Sequence, residues 1–222
     1  MAASSEFIRF TPQVISGLST ADEPVDLVTY NGQKYVVKYL RRSRYGLSNP
    51  NEIHIGSGIS HPNLGRIDYL LPQKGSTKLG LVMPYYERNA VTSLAASKID
   101  IDARLIMFYE LIHVVRELHQ SGFVHLDIKP ANVVIDSGKI ILIDFGSSRR
   151  LLGGKYITRH SVMTPGFNPP EDVRGIFHYS TATDVWSLAV TGIFLLTNRN
   201  LTPREVKSHR VFMESLKNNL HE

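Results

Sequence analysis

The first third of the chain carries short apolar runs that are typical of strands. Residues 25–30 and 33–40 are rich in β-branched and aromatic side chains, and Asn31-Gly32 separates them. Both central residues of a type I′ turn need positive φ, so this dipeptide predicts a tight hairpin. Similar runs at 67–71 and 79–83 predict a second pair of strands.

From residue 101 onwards the apolar residues recur at steps of three and four. This period predicts one long helix over 101–121 with a single apolar face. The residues assigned to that face are Leu105, Phe108, Leu111, Ile112, Val115 and Leu118. Two short strands follow at 133–135 and 139–143, and a second apolar helix is predicted over 183–196. A last amphipathic helix is predicted to begin near Pro203, because proline suits the first helical position.

Composition places the chain among soluble globular proteins. Its 222 residues are 42% hydrophobic and 20% charged, enough for one large domain or two small lobes. The best apolar run, 189–197, is far shorter than the about 20 residues that a membrane span needs. No secretory signal pattern is found at the start, and there is no cysteine, which favours a reducing, cytoplasmic environment.

The charge balance raises the question of a polyanionic partner. The formal net charge is +5, and several basic residues cluster within 34–44. No nucleic-acid motif accompanies them, so nucleic-acid binding is not expected. If it occurred, its affinity would fall with salt.

Two polar motifs flank the predicted strands between 133 and 143. The first is HLDIKPAN at 125–132, and the second is IDFG at 143–146. They resemble the HRDxxxxN catalytic loop and the DFG magnesium loop of the eukaryotic-type protein kinase superfamily. Either motif alone could consist of ordinary turn and capping residues. Two in order, with this spacing and strand context, favour the kinase interpretation.

The resemblance implies a role for each polar residue of these loops. Asp127 would orient the acceptor hydroxyl and take its proton, and Lys129 would steady the γ-phosphate of ATP. Asn132 and Asp144 would hold Mg²⁺, with Mn²⁺ as an alternative. Lysine two residues after the aspartate is the pattern of serine/threonine kinases.

The resemblance also extends upstream of these loops. YVVK at 35–38 matches the VAIK strand, which implies that Lys38 contacts the α- and β-phosphates and pairs with Glu52 of a helix. The other residues implied to contact ATP are Val25, Val36, Met83, Tyr85, Tyr86 and Val134. Without the two loops, Lys38 and Glu52 would be interpreted as ordinary surface charges.

Downstream, TPGFNPPE at 164–171 resembles the end of an activation segment. Thr164 would contact Asp127 and Lys129, and Glu171 would be the last residue of the APE motif. Asp184, at the start of the second apolar helix, would hold the catalytic loop from behind.

Three features depart from the family pattern. The place of the glycine-rich phosphate loop, 16–25, has a single glycine, so the roof of an ATP site must be built differently. Leu126 replaces the arginine that docks a phosphorylated activation loop, which leads to the hypothesis that activity needs no phosphorylation. Only 24 residues follow Asn198, which predicts a shortened C-terminal lobe.

The expected fold is α+β and bilobal, with a small mostly β N-lobe and a truncated mostly α C-lobe. One domain over 1–222 is expected, with an N-lobe at about 12–83, a hinge at 84–87, a C-lobe at about 88–222 and a flexible start at 1–11.

In outline the chain resembles the minimal serine/threonine kinases of pathogens, either bacterial type III effectors or viral kinases. That resemblance implies a monomer that phosphorylates a host protein, with a heat-shock ATPase chaperone as one substrate. It further implies action in the cytoplasm, with secretion into the host cytosol in the effector case.

Two other functions stay open at this point. A catalytically dead kinase-like binding module would explain the missing glycines, but not the intact Lys38, Asp127, Asn132 and Asp144. A small-molecule kinase of the aminoglycoside or choline type shares the catalytic geometry but lacks DFG and the activation segment, both present here.

Overall fold

The computed structural model of the protein describes residues 13–17, 25–43, 46–47, 49–72, 78–96, 98–158, 163–169 and 177–199. The predicted start at 1–11, the position of Glu171 and the predicted helix near Pro203 lie outside these residues.

The N-terminal lobe is one antiparallel sheet with a short helix beside it. Its elements are β1 (Gln13–Gly17), β2 (Val25–Tyr30), β3 (Gln33–Ser43), β4 (Gly46–Leu47), α1 (Pro50–Gly58), β5 (Tyr69–Pro72) and β6 (Lys78–Pro84). The strand order is β1-β2-β3-β6-β5, with β4 beside β3. The predicted hairpin is present: Tyr30 pairs with Gln33, and Asn31 and Gly32 have φ of 50° and 76°.

The second predicted strand pair is also present, with one boundary shifted. β5 begins at Tyr69 rather than at 67, because the N–H of Ile67 donates to the carbonyl of Gly56 in α1 at 2.9 Å. That bond draws the chain away from the sheet at this point.

The C-terminal lobe is mostly helical, with three two-stranded ladders. Its elements are α2 (Ala90–Ala96), α3 (Ile101–Gln120), β7 (Phe123–Val124), β8 (Val133–Asp136), β9 (Lys139–Leu142), β10 (Arg149–Arg150), β11 (Tyr156–Thr158), β12 (Phe177–Tyr179) and α4 (Thr181–Thr197). The ladders are β7–β10, β8–β9 and β11–β12. The long predicted helix is α3, and Asp100 caps it by accepting the N–H of Ala103 at 2.8 Å.

The predicted apolar face of α3 is partly wrong. Leu105 and Ile112 are 49% and 39% exposed. Leu111, Val115 and Leu118 are buried as predicted, and Met107 and Val114, which were not predicted, are buried with them. They pack against β9 and α4. The positions of β9 and α4 decide which side of the helix is buried, and the spacing of apolar residues along the sequence does not reveal those positions.

The main core lies in the C-terminal lobe, between α3, α4, β8 and β9. Ile55 of α1 also belongs to it, so the helix of the N-terminal lobe is anchored in the core of the other lobe. A smaller cluster, built on Val28, Val37, Tyr39 and Val82, covers one face of the sheet. Among the helices described here, none combines the length and apolar character needed to cross a membrane.

Close packing of α3 against α4 depends on Gly192. A Cβ at this position would lie within 3 Å of three ring carbons of Phe108. Alanine normally stabilises a helix relative to glycine, but we expect Gly192→Ala to destabilise the protein by about 1–3 kcal/mol through overpacking. Urea unfolding measures this change.

Gly58→Ala, in α1, is the matched control. No described atom lies within 4 Å of a Cβ built at that glycine, so its free energy of unfolding should stay level or rise. An equal loss in the two variants would contradict the packing explanation.

Candidate active site

A cleft of about 570 Å³ lies where the sheet of the N-terminal lobe faces β8 and the segment after β9. Its volume is in the range of small-molecule and cofactor sites. Asp144 lines this cleft. So do all eight residues implied to contact ATP, which are Val25, Val36, Lys38, Glu52, Met83, Tyr85, Tyr86 and Val134.

Lys38 places a positive charge between two carboxylates in this cleft. It lies on β3, and its Nζ is 3.0 Å from Oε1 of Glu52 and 3.2 Å from Oδ1 of Asp144. Glu52 is buried, in the first turn of α1. One ammonium group therefore connects the sheet, α1 and the segment that follows β9.

The electrostatic environment keeps Asp144 ionised. Partial burial acts to raise the pKa of its carboxyl, but the positive charge of Lys38 and the hydrogen bond from that lysine outweigh this effect, so the pKa is lowered. The Gly146 N–H also donates to Oδ1 at 3.3 Å. Asp144 adopts φ of 64°, a left-handed conformation that turns the chain at this point.

The strand end at 84–87 forms one wall of the cleft. Met83 pairs with Val36 across the sheet, and the N–H of Tyr85 donates to the carbonyl of Lys34 at 3.4 Å. Burial raises the pKa of the Tyr86 hydroxyl, which stays neutral at physiological pH.

Asp127 is the hub of a second polar cluster. Its Oδ1 accepts the hydroxyl of Thr164 at 2.6 Å, and its Oδ2 lies 2.8 Å from Nζ of Lys129 and 3.0 Å from Nδ2 of Asn132. Lys129 also donates to the Thr164 hydroxyl at 2.8 Å. Four residues predicted from two separate motifs, 125–132 and 164–171, thus share one hydrogen-bond network.

Asp184 supports this network from inside the C-terminal lobe. Its fully buried carboxylate accepts the backbone N–H groups of His125 at 2.7 Å and Leu126 at 2.8 Å. It also bonds Nε2 of His119 at 2.8 Å. His119 is a site residue that sequence reasoning missed. Its place in the last turn of α3 resembles an ordinary helix-end residue.

Leu126 takes part in a buried apolar cluster. Its partners are Val124, Met163 and Tyr179, and Tyr156 stacks on Tyr179 with ring centroids 6.4 Å apart. Met163 directly precedes Thr164, so the cluster packs the segment that carries this threonine. The ladder between β11 and β12 adds backbone pairing to the same region.

The donor set fits a magnesium ion held together with nucleotide phosphates. Mg²⁺ prefers oxygen ligands and commonly takes only one or two carboxylates from the protein. Asp144 offers a carboxylate that is 47% exposed. The Nδ2 of Asn132 donates to Asp127, which leaves the amide oxygen as the acceptor. Within the described residues there is no cluster of three or more acidic, His or Cys side chains that could hold a metal by itself.

Several residues of the cleft were not predicted. They are Gly65, Arg66, Ile67, Asn89 and Thr92. The remaining lining residues Pro84, Glu87, Ala131, Ile143 and Phe145 lie within the predicted hinge and the two motif loops. Asn89 caps α2 by accepting the N–H of Thr92 at 3.1 Å. An asparagine before a short helical run is a known start signal, and it could have revealed this helix.

Comparison with known proteins agrees with this geometry. The sequence matches the family described as protein kinase domain over residues 25–221. The chain belongs to this family, whose members transfer phosphate from ATP with a divalent metal ion.

Two curated proteins and one solved structure illustrate the range of similarity. A protein of Acanthamoeba polyphaga mimivirus, named as a serine/threonine-protein kinase, is 29% identical over 80% of this chain and 67% of its own length. The citron rho-interacting kinase of Rattus norvegicus is 35% identical over 65% of this chain, which spans only 7% of that protein.

The solved kinase of Cydia pomonella granulovirus has a TM-score of 0.71 at 19% identity, covering 87% of this chain and 76% of that chain. The fold is therefore protein-kinase-like and α+β, with a β-sheet N-lobe and a helical C-terminal part. The predicted fold class is confirmed.

Replacing Asp184 tests its supporting position. The two carboxylate oxygens of Asp184 together accept three hydrogen bonds. Asp184→Asn replaces one of these oxygens with an NH₂ group, which donates instead of accepting. At least one buried donor then loses its acceptor, so we expect a loss of about 2 kcal/mol or more in unfolding free energy.

Asp102→Asn is the control, because this aspartate is exposed in the first turn of α3 and its loss should cost only a few tenths of a kcal/mol, at most about 1. Equal unfolding midpoints for the two variants would contradict the supporting position of Asp184.

Proposed function

We propose that the protein is an active serine/threonine protein kinase that transfers the γ-phosphoryl group of ATP to a hydroxyl of a protein. The observation that carries the proposal is the joint presence of two polar clusters, one lining the cleft and one on the loop 125–132, whose Ala131 also lines the cleft. The Lys38–Glu52–Asp144 set suits a nucleotide, and the Asp127–Lys129–Thr164 set suits an acceptor hydroxyl. A binding module that only holds ATP would use the first set but would have no need of the second.

In this proposal each residue acts by position and charge. Lys38, held by Glu52, binds the α- and β-phosphates, and the apolar residues of the cleft enclose the adenine. Asp127 orients the acceptor hydroxyl and accepts its proton, while Lys129 neutralises charge on the transferred group. Asn132 and Asp144 hold Mg²⁺ or Mn²⁺, which supplies charge neutralisation on the phosphate oxygens.

Domain boundaries and acceptor class follow from the same proposal. The kinase domain comprises an N-lobe at about 12–83, a hinge at 84–87 and a C-lobe from 88. The Lys129–Thr164 bond supports serine or threonine as acceptor. Two of the similar kinases are viral, which agrees with a host protein as substrate. A heat-shock chaperone as that substrate is proposed from the resemblance in outline alone.

Two aspartate variants separate transfer from nucleotide binding. We expect Asp127→Asn to lower phosphate transfer about 100-fold or more, while ATP with Mg²⁺ still raises the melting temperature. Asp144→Asn should lose both transfer and this metal-dependent stabilisation. Radiolabelled γ-phosphate transfer in a host cell extract, with Mg²⁺ and with Mn²⁺, and thermal melting give the two measurements.

Asp136→Asn, at the exposed end of β8, is the matched control and should behave as the parent protein. No transfer by the parent, together with thermal stabilisation by ATP, would favour the binding module instead. Equal rates for the parent and both variants would refute the assigned roles.

We further propose that activity does not depend on phosphorylation of the activation segment. The apolar cluster around Leu126 includes Met163, which directly precedes Thr164, in the place where related enzymes use an arginine and a phosphate. The contacts that hold Thr164 to Asp127 and Lys129 are present without any modification.

Phosphatase treatment tests this independence. The fully dephosphorylated protein, verified by mass spectrometry, should keep its rate within about twofold. Leu126→Arg should lose most of its activity because burying an unpaired guanidinium among apolar groups is costly, whereas Leu126→Met keeps the volume and should stay active. Loss of activity on dephosphorylation would overturn the proposal.

A further inference from the structure

Helix α1 is short, and Glu52 lies at its very start. The helix spans Pro50–Gly58, so this glutamate is its third residue. Terminal turns of helices fray readily, because their first N–H groups have no partner within the helix. The position of Glu52 beside Lys38 therefore depends on whatever holds the beginning of α1.

Asn49 precedes the helix but does not cap it. Asparagine is among the best capping residues, yet this side chain makes no capping bond to α1. Its Nδ2 donates to two backbone carbonyls of the magnesium loop, at 3.1 Å to Phe145 and 2.5 Å to Gly146. Asn49 is buried, so these bonds are shielded from water.

Asn51 makes a third bond of the same kind. Its Nδ2 donates to the carbonyl of Ser148 at 3.1 Å. Two side-chain amides from the start of α1 thus bind three carbonyls within residues 145–148. The other end of the helix is held by burial of Ile55 and by the bond from Ile67 to the Gly56 carbonyl.

These bonds couple the two carboxylates that meet at Lys38. Glu52 moves with α1, and Asp144 moves with the loop to which the asparagines bind. If α1 swung outward, three amide–carbonyl bonds would break along with the ion pair of Lys38 and Glu52. A buried carbonyl left without its donor costs free energy, so the outward position is disfavoured.

We propose that Asn49 and Asn51 are positioning residues that clamp α1 to the magnesium loop, so that Lys38, Glu52 and Asp144 stay assembled without a bound activator. This inference rests on the proposed kinase function for its catalytic consequence. The clamp itself is a statement about geometry and can be measured separately.

Asn49→Asp is the sharpest variant. Aspartate caps a helix as well as asparagine does and has nearly the same shape, so α1 remains stable. Its oxygens accept but do not donate, and they would face the carbonyls of Phe145 and Gly146. We expect kcat to fall about tenfold and KM for the protein acceptor to stay within twofold. Asn49→Ser, also a good cap, should lower kcat in the same direction without an added charge.

Asn63→Asp is the matched control. Asn63 is also buried, and its Nδ2 also donates to a backbone carbonyl, that of Ile140 in β9, at 2.7 Å. This variant should lose stability to a similar degree, but kcat per folded molecule should stay near that of the parent. Equal losses of kcat at 49 and 63, after correction for the folded fraction, would indicate general destabilisation and overturn the clamp.

A distance measurement tests the clamp without any activity. The chain has no cysteine, so His54→Cys on the exposed side of α1 and Lys139→Cys at the exposed start of β9 give two unique spin-label sites. We expect one narrow distance distribution in the otherwise parent protein. Adding Asn49→Asp should broaden it or shift it to longer distances.

The activity measurement and the distance measurement test the two proposals separately. An unchanged distribution in Asn49→Asp overturns the clamp, whatever the activity. A narrow distribution that broadens in the variant, in a protein that transfers no phosphate, would support the clamp and refute the proposed function.

Discussion

The active-site arrangement depends most on one buried carboxylate. Asp184 accepts the backbone N–H groups of His125 and Leu126, and these bonds hold the chain where Leu126 adopts φ of 64°. That conformation is unfavourable for a bulky residue and is found where the surroundings determine the backbone. Asp127 is the next residue, so the contacts of Asp184 with the backbone also fix the direction of the Asp127 carboxylate towards Lys129, Asn132 and Thr164. The conformation of the loop 125–132 is thus set by hydrogen bonds to a carboxylate in the core of the C-terminal lobe.

The cleft is organised around a single cation in the same manner. Lys38 lies between Glu52 and Asp144, and its charge offsets the burial that would otherwise raise the pKa of Asp144. The three residues come from β3, α1 and the loop after β9, so this ion pair also joins the two lobes. A nucleotide phosphate would add negative charge near Lys38, where positive charge is already held in position.

Two sets of contacts position Thr164 and helix α1. The apolar cluster of Leu126, Met163 and Tyr179 adjoins Thr164, and the amides of Asn49 and Asn51 bind backbone carbonyls within residues 145–148. Both sets of contacts are made by side chains of the protein itself, without a phosphate group or a partner protein. Related kinases often make such contacts conditional on a phosphate or a partner. Both observations agree with the proposal that activity does not depend on phosphorylation of the activation segment.

The sequence by itself determined the hairpin at Asn31-Gly32, the long helix, the fold class and the eight residues expected to contact ATP, because turn chemistry, periodicity and motif spacing are local properties. It did not reveal other residues of the cleft, such as Arg66 and Asn89. It left open which stripe of α3 is buried, since β9 and α4 decide that and Leu105 and Ile112 face outward. The bonds of His119 to Asp184 and of Asn49 to the magnesium loop join residues 65 to 97 positions apart. No local pattern marks such pairs. Only the tertiary structure brings them into contact, because packing of the two lobes sets the distances between them.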